Sequence, residues 1–142
     1  MRILGLDYGE RTIGVAVSDE LLFTAQGIKT IRRSKNELEE LRQIIHDYEV
    51  DEVIVGYPKN MNGTLGPRAQ ITEEFAEILK REYGLPVLLW DERLSTIGAE
   101  RSLLVADLSR AKRKQVIDKM AAVFILQGYL DHLRIKSERD RG

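Results

Sequence analysis

Two short apolar runs open the chain, at residues 2–8 and 12–18, separated by a turn that contains Gly9. This pattern predicts an antiparallel β-hairpin, with Gly5, Gly14 and Ala16 keeping part of it small. A third strand is predicted within residues 21–31, with Gly27 as the site of a bulge, before Ser34 caps a helix from about Lys35 to Tyr48. In that helix Leu38, Leu41, Ile44, Ile45 and Tyr48 recur at helical spacing. The compact run Val53-Ile54-Val55-Gly56 predicts a buried strand, and the Pro, Asn and Gly of residues 57–64 an irregular loop. A second helix carries Ile71, Phe75, Ile78 and Leu79, ends near Gly84, and leads through Pro86 into a strand from Val87 to Trp90. The last third reads as two helices, Ser95–Ala106 and Arg113–Arg134. From 135 onward the residues are polar and alternate in charge, which predicts a frayed end and leaves 137–142 as a tail beyond a single domain of residues 1–136. A hairpin followed by alternating helices and strands implies βαβ crossovers. The predicted fold class is therefore α/β, a mixed sheet with helices on both faces.

Composition narrows the chemistry. With 142 residues, 43% hydrophobic and 32% charged, the chain has the make-up of one globular domain. The absence of cysteine excludes disulfides, thiol nucleophiles and cysteine-ligated zinc. His46 and His132 fall in amphipathic helical segments beside charged residues, a pattern of surface positions rather than ligands. Any bound metal would then be held by oxygen, which suits magnesium or manganese. No run of 18 apolar residues and no signal-peptide pattern is present, so a cytoplasmic protein without membrane contact is expected.

Asp7 stands out because it interrupts an apolar strand, where an ionised carboxylate needs compensation by pairing, a metal or a shifted pKa. Two further acidic sites occur on other elements: Asp91-Glu92, after the strand that follows Pro86, and Asp118, within the last helix. Each has a simpler reading. Asp7 could bond the turn Tyr8-Gly9-Glu10-Arg11, Asp91 or Glu92 could end a strand, and Asp118 could pair with Lys114 four residues earlier. Taken together, three acids on three elements suggest a metal site. Ala121 and Ala122 lie one turn after Asp118, and such small residues would let the helix approach a strand and bring the carboxylate near Asp7.

Carboxylates holding two metal ions about 3.5–4 Å apart can orient an attacking water and stabilise the leaving oxygen of a phosphoryl displacement. Two basic runs, Arg32-Arg33-Ser34-Lys35 and Arg110-Ala111-Lys112-Arg113-Lys114, are local candidates for a polyanionic backbone. The second precedes Asp118, which makes Lys112, Arg113 and Lys114 the favoured phosphate contacts. A net charge of −1 argues against strong nonspecific nucleic-acid affinity.

The blocks Gly5-Leu6-Asp7-Tyr8-Gly9 with Ile13-Gly14-Val15-Ala16, Val55-Gly56-Tyr57-Pro58 with Asn60-Met61-Asn62-Gly63-Thr64, Asp91-Glu92-Arg93-Leu94-Ser95-Thr96, and Ile117-Asp118-Lys119-Met120-Ala121-Ala122 resemble the signature blocks of the YqgF/RuvX family. They fall in order over nearly the whole chain. The resemblance implies an RNase H-like fold and a nuclease, described both as a processing enzyme for the 5′ end of pre-16S rRNA and as a Holliday junction resolvase. It makes Asp7, the Asp91-Glu92 pair and Asp118 candidate catalytic metal ligands; within the pair only one acid is expected to face the site, and Glu92 is favoured over Asp91 because its longer arm can reach from a strand end. It also marks the loop residues Asn60, Asn62 and Gly63, and Arg93, as candidate substrate contacts, through backbone N–H groups and a guanidinium respectively. Tyr57 stands where Leu is commoner, and Ser95 where Thr is commoner; neither removes an acid.

The Asp-x-Gly hairpin with its Ile-Gly-Val-Ala strand also resembles the phosphate-binding start of actin-like kinases, but those folds need two such domains and this chain has one hairpin. A noncatalytic nucleic-acid-binding module is the other rival. The expectation is a magnesium- or manganese-dependent nuclease, monomeric or weakly dimeric, acting on nucleic acid, with precursor rRNA preferred and branched DNA as the alternative.

Overall fold

The computed structural model describes residues 1–59, 62–91 and 110–141, with side chains at all of these except 110–119, 140 and 141. The elements are β1 (Ile3–Tyr8), β2 (Thr12–Ser18), β3 (Ala25–Arg32), α1 (Glu37–Asp47), β4 (Glu52–Tyr57), α2 (Pro67–Tyr83), β5 (Val87–Asp91) and α3 (Arg110–Arg141). The strands form one sheet in the order β3-β2-β1-β4-β5. The pairs β1/β2 and β2/β3 are antiparallel, and β1/β4 and β4/β5 parallel. This is the mixed sheet expected from a hairpin followed by crossovers, with β1 in the centre.

Strand alternation sorts the side chains into two cores. Leu4, Leu6, Ile13, Val15, Val53 and Val55 pack with Leu41 and Ile44 of α1 and Phe75, Ala76 and Leu79 of α2. Ile3, Ala16 and Ile54 pack on the opposite face with Ala122, Ile125, Leu126 and Leu130 of α3. Full burial of one such aliphatic side chain contributes about 1.5–3 kcal/mol, so each helix is bound mainly by its apolar stripe. The irregularity predicted at Gly27 is present: Val15 pairs with Lys29 and Ala16 with Gly27, leaving Ile28 without an opposite number.

Local departures from the sequence reading have local causes. Helix α1 begins at Glu37 behind Asn36, because the Ser34 hydroxyl accepts the Asn36 N–H at 3.1 Å and forms a turn ahead of the helix instead of capping it. In α2 the buried face is Ala69, Thr72, Phe75, Ala76 and Leu79; Ile71 is exposed, and the Thr72 hydroxyl is satisfied by the Arg68 carbonyl at 2.8 Å. Helix α3 continues to Arg141, where a frayed end was expected from residue 135. Residues 134–139 are exposed, so this extension is helical by backbone bonding and not by packing. The predicted helix Ser95–Ala106 lies outside the described residues.

Helices cover both faces of the sheet, yet the β2–β3 loop leaves Leu21 and Phe23 75% and 50% exposed. Among the described residues no helix is long and apolar enough to cross a membrane.

Candidate active site

Asp7 is the next-to-last residue of β1 and shares the face of Ile3 and Gly5, the face that α3 covers. Its neighbours on this face are small. Gly14 pairs with Asp7 across β2, and Thr30 pairs with Gly14 across β3. On the other side, one step beyond the Leu6–Val55 pair, lies Gly56, which pairs with Trp90 of β5. Asp7 is thus the acid in the transverse row Trp90, Gly56, Asp7, Gly14, Thr30.

Helix α3 crosses β1 closely at Gly5. A Cβ at Gly5 would lie 2.7 Å from Leu126 Cβ and 3.3 Å from the Ala122 carbonyl oxygen, so the helix can sit at this depth only over glycine. Tyr129, further along α3, donates to Glu52 Oε1 at 3.0 Å, and Glu52 pairs with Ile3 at the start of β1. Helix and strand therefore run antiparallel: later helix residues lie over the start of β1, and earlier ones toward Asp7. Asp118 occupies α3 one turn before Ala122.

The acidic pair after β5 is divided by its strand. Asp91 pairs with Tyr57 and shares the face of Val53, Val55 and Val87, away from Asp7. Its carboxylate lies 3.9 Å from Lys59 Nζ, with the two side chains 14% and 29% exposed. Tyr57 on the same face donates to Glu73 of α2, which raises the tyrosine pKa. Glu92 and Arg93 lie outside the described residues, as does Asn60. Asn62 is engaged within its loop: its Oδ1 accepts from Thr64 N at 3.1 Å and Thr64 Oγ1 at 2.7 Å. Gly63 follows with φ 86°, and Lys59 bridges Leu65 to close the loop base. Lys112, Arg113 and Lys114 lie on the first turns of α3. Among the described residues no three acidic or histidine side chains gather at a metal-sized site.

The sequence reading missed what fixes the strand end after Asp7. Arg68 of α2 donates to the Tyr8 carbonyl at 2.6 Å, and Arg33 donates to the Gly9 carbonyl at 2.9 Å. Arg33 also bonds both Glu37 oxygens at 3.0 Å and lies 4.2 Å over the Tyr8 ring. That ring stacks on Phe75 at 3.7 Å, and burial raises the Tyr8 pKa against the opposing pull of Arg33. The turn itself is tight: Gly9 N donates to the Thr12 carbonyl at 2.9 Å, and a Cβ on Gly9 would lie 2.9 Å from that oxygen. Only the Arg32-Arg33 run hinted at this clamp; nothing in the sequence marked Arg68.

A family model described as RuvX, Holliday junction resolvase, matches residues 1–132. A candidate pre-16S rRNA nuclease of Desulfitobacterium hafniense is 76% identical over 141 residues, covering 99% of this chain and 99% of that protein. One from Bacillus subtilis is 58% identical over 137 residues, covering 94% and 99%. Among solved structures, T. thermophilus RuvC in complex with a Holliday junction substrate superimposes with a TM-score of 0.60 at 18% identity, covering 96% of each chain. The fowlpox virus Holliday junction resolvase gives 0.54 at 19% identity, covering 94% of this chain and 99% of that one. At such identities the structural likeness speaks for the fold alone, which is RNase H-like.

Proposed function

The chain belongs to the RuvX family of Holliday junction resolvases, and from that membership we propose a metal-dependent nuclease that hydrolyses phosphodiester bonds at Asp7, with precursor 16S rRNA as substrate. The observation that carries this reading is the setting of Asp7: a carboxylate on the central strand, with glycine opposite it on β2 and a closely packed helix bearing a second acid. Moving from Gly5 to Asp7 advances about 6.6 Å along β1. Moving from Ala122 back to Asp118 retreats about 6 Å along α3. With the two elements antiparallel, these steps go the same way and bring Asp118 toward Asp7.

Alternation turns one candidate for the third acid away. Asp91 faces α2 and pairs with Lys59, which leaves Glu92 as the acid of the pair that this reading takes for the site. Asp7, Glu92 and Asp118 would then offer a set of oxygen donors that fits magnesium or manganese and not zinc. A bound divalent ion supplies positive charge that acidifies an attacking water and neutralises the leaving oxygen. The chain's own part is to position: the Arg33 and Arg68 bonds hold the end of β1, and the glycine on β2 beside Asp7 leaves room for a backbone. Arg93 is assigned a phosphate, and the 57–64 loop offers backbone N–H groups to another. The relatives' names, which point to pre-16S rRNA, support the RNA substrate.

Cleavage of branched DNA is the second reading, favoured by the family's own description. Resolving a four-way junction needs two cuts related by a two-fold axis, which a C₂ dimer supplies, whereas RNA end-processing needs one site. The test is a panel of precursor 16S rRNA, linear duplexes and four-way junctions, incubated with Mg²⁺, with Mn²⁺ or with chelator. Metal-dependent cleavage of the precursor, lost in Asp7→Asn, is expected. Cleavage that persists in chelator removes the metal, and a stable dimer making paired symmetric nicks replaces the RNA reading with the resolvase one.

A further inference from the structure

The basic run Arg32-Arg33-Ser34-Lys35 is the less favoured of the two candidate phosphate-binding runs in the sequence, but the sheet divides its two arginines between opposite faces. Arg33 is taken up by Glu37, Gly9 and the Tyr8 ring. Arg32 pairs with Thr12 at the end of β2, and Thr12 lies on the same face as Gly14 and hence as Asp7. Arg32 is exposed, and among the described residues no acid pairs with it. Between it and Asp7 lie only Gly14, Thr30 and Thr12 on that face, so no large side chain among the described residues stands in the way.

We propose that Arg32 is a substrate-positioning residue, binding a backbone phosphate of the nucleic-acid strand that runs from Asp7 across Gly14 and Thr30 to the β3 edge of the sheet. The proposal rests on the nuclease reading of Asp7. Two strand spacings sideways and two residues along give a Cα separation from Asp7 of about 12 Å. The contacted phosphate is therefore not the scissile one but a neighbour on the same strand. An exposed guanidinium grips such a group through paired N–H bonds. The contact is to the sugar-phosphate backbone, so it serves RNA and DNA alike, and base identity plays no part.

The experiment measures binding of precursor 16S rRNA and of four-way junction DNA across a salt series, using Asp7→Asn protein to prevent cleavage. Lys29 is the control: it is exposed and lies three residues before Arg32 on the same strand, but it pairs with Val15 and faces α1. Arg32→Ala is expected to weaken binding several-fold and to make the slope of log K against log salt shallower by about 0.7–0.9, the value for one lost phosphate contact. Arg32→Lys is expected to keep the slope, and Lys29→Ala to change neither quantity. The Arg32 effect is expected with either nucleic acid that the parent protein binds. If Arg32→Ala binds as the parent does, or if Lys29→Ala has an equal effect, the assignment of Arg32 is overturned while the nuclease reading stands. If the parent protein binds neither nucleic acid, the nuclease reading fails and this inference fails with it.

Discussion

Of the adjacent acids Asp91 and Glu92, the strand turns Asp91 away from Asp7, and the proposed reading gives the site to Glu92. Asp91→Asn removes the charge of a carboxylate that lies 3.9 Å from Lys59 on the face away from Asp7. Cleavage by folded Asp91→Asn protein is therefore expected to stay close to that of the parent. Glu92→Gln is expected to lose cleavage by orders of magnitude with its melting temperature kept. Greater loss of cleavage from the Asp91 change would return Asp91 to the site. The sequence displayed both acids but not the face that Asp91 takes, because that depends on where β5 pairs with β4. The same is true of Asn62, whose side chain turned out to be bonded to Thr64 within the loop.

Among the elements, the contact of α3 with β1 controls the site. Gly5→Ala places a methyl 2.7 Å from Leu126 Cβ, a core overlap of the kind that costs about 1–3 kcal/mol as the helix is pushed outward. Because α3 also carries Asp118, cleavage is expected to fall even at temperatures where the variant is fully folded. Circular dichroism paired with cleavage rates checks this, and full activity in a folded Gly5→Ala protein would detach the helix from the site. Most elements were legible in the sequence because each strand or helix has its own period of apolar residues. The Arg68 bond to Tyr8 was not, because it joins residues 60 apart and leaves no pattern in either segment. Nor was the onset of α1, where one hydroxyl turned the chain ahead of the helix.

For the molecule as a whole, stability at high pH is set by tyrosines that tie elements together. Tyr83 of α2 donates to the Leu38 carbonyl at 2.6 Å, and Tyr129 of α3 donates to Glu52. Burial is the first cause that pushes both phenols up to about 12, with Glu52 adding to the effect at Tyr129. The folded state holds these protons more tightly than the unfolded chain, whose phenols titrate near pH 10. Their contribution to stability is thus complete below about pH 10 and is lost as pH rises toward about 12. Denaturant unfolding between pH 9 and 12 is expected to show this decline, and Tyr129→Phe to make it shallower. An unchanged profile in that variant would remove Tyr129 from the account.

The central strand is made before the helix that covers it. Ile3, Ala16 and Ile54 lie against α3, the final 32-residue helix. Until that helix has left the ribosome, one side of the sheet is an oily surface open to water and to other nascent chains. At about 5–20 residues per second, the helix takes roughly 2–6 seconds to synthesise. During that interval the chain already carries Asp7 but lacks Asp118, so on the reading above it is a sticky sheet and not yet a nuclease. On that reading, cutting would wait for the helix that carries Asp118, and the same event would close the oily side of the sheet.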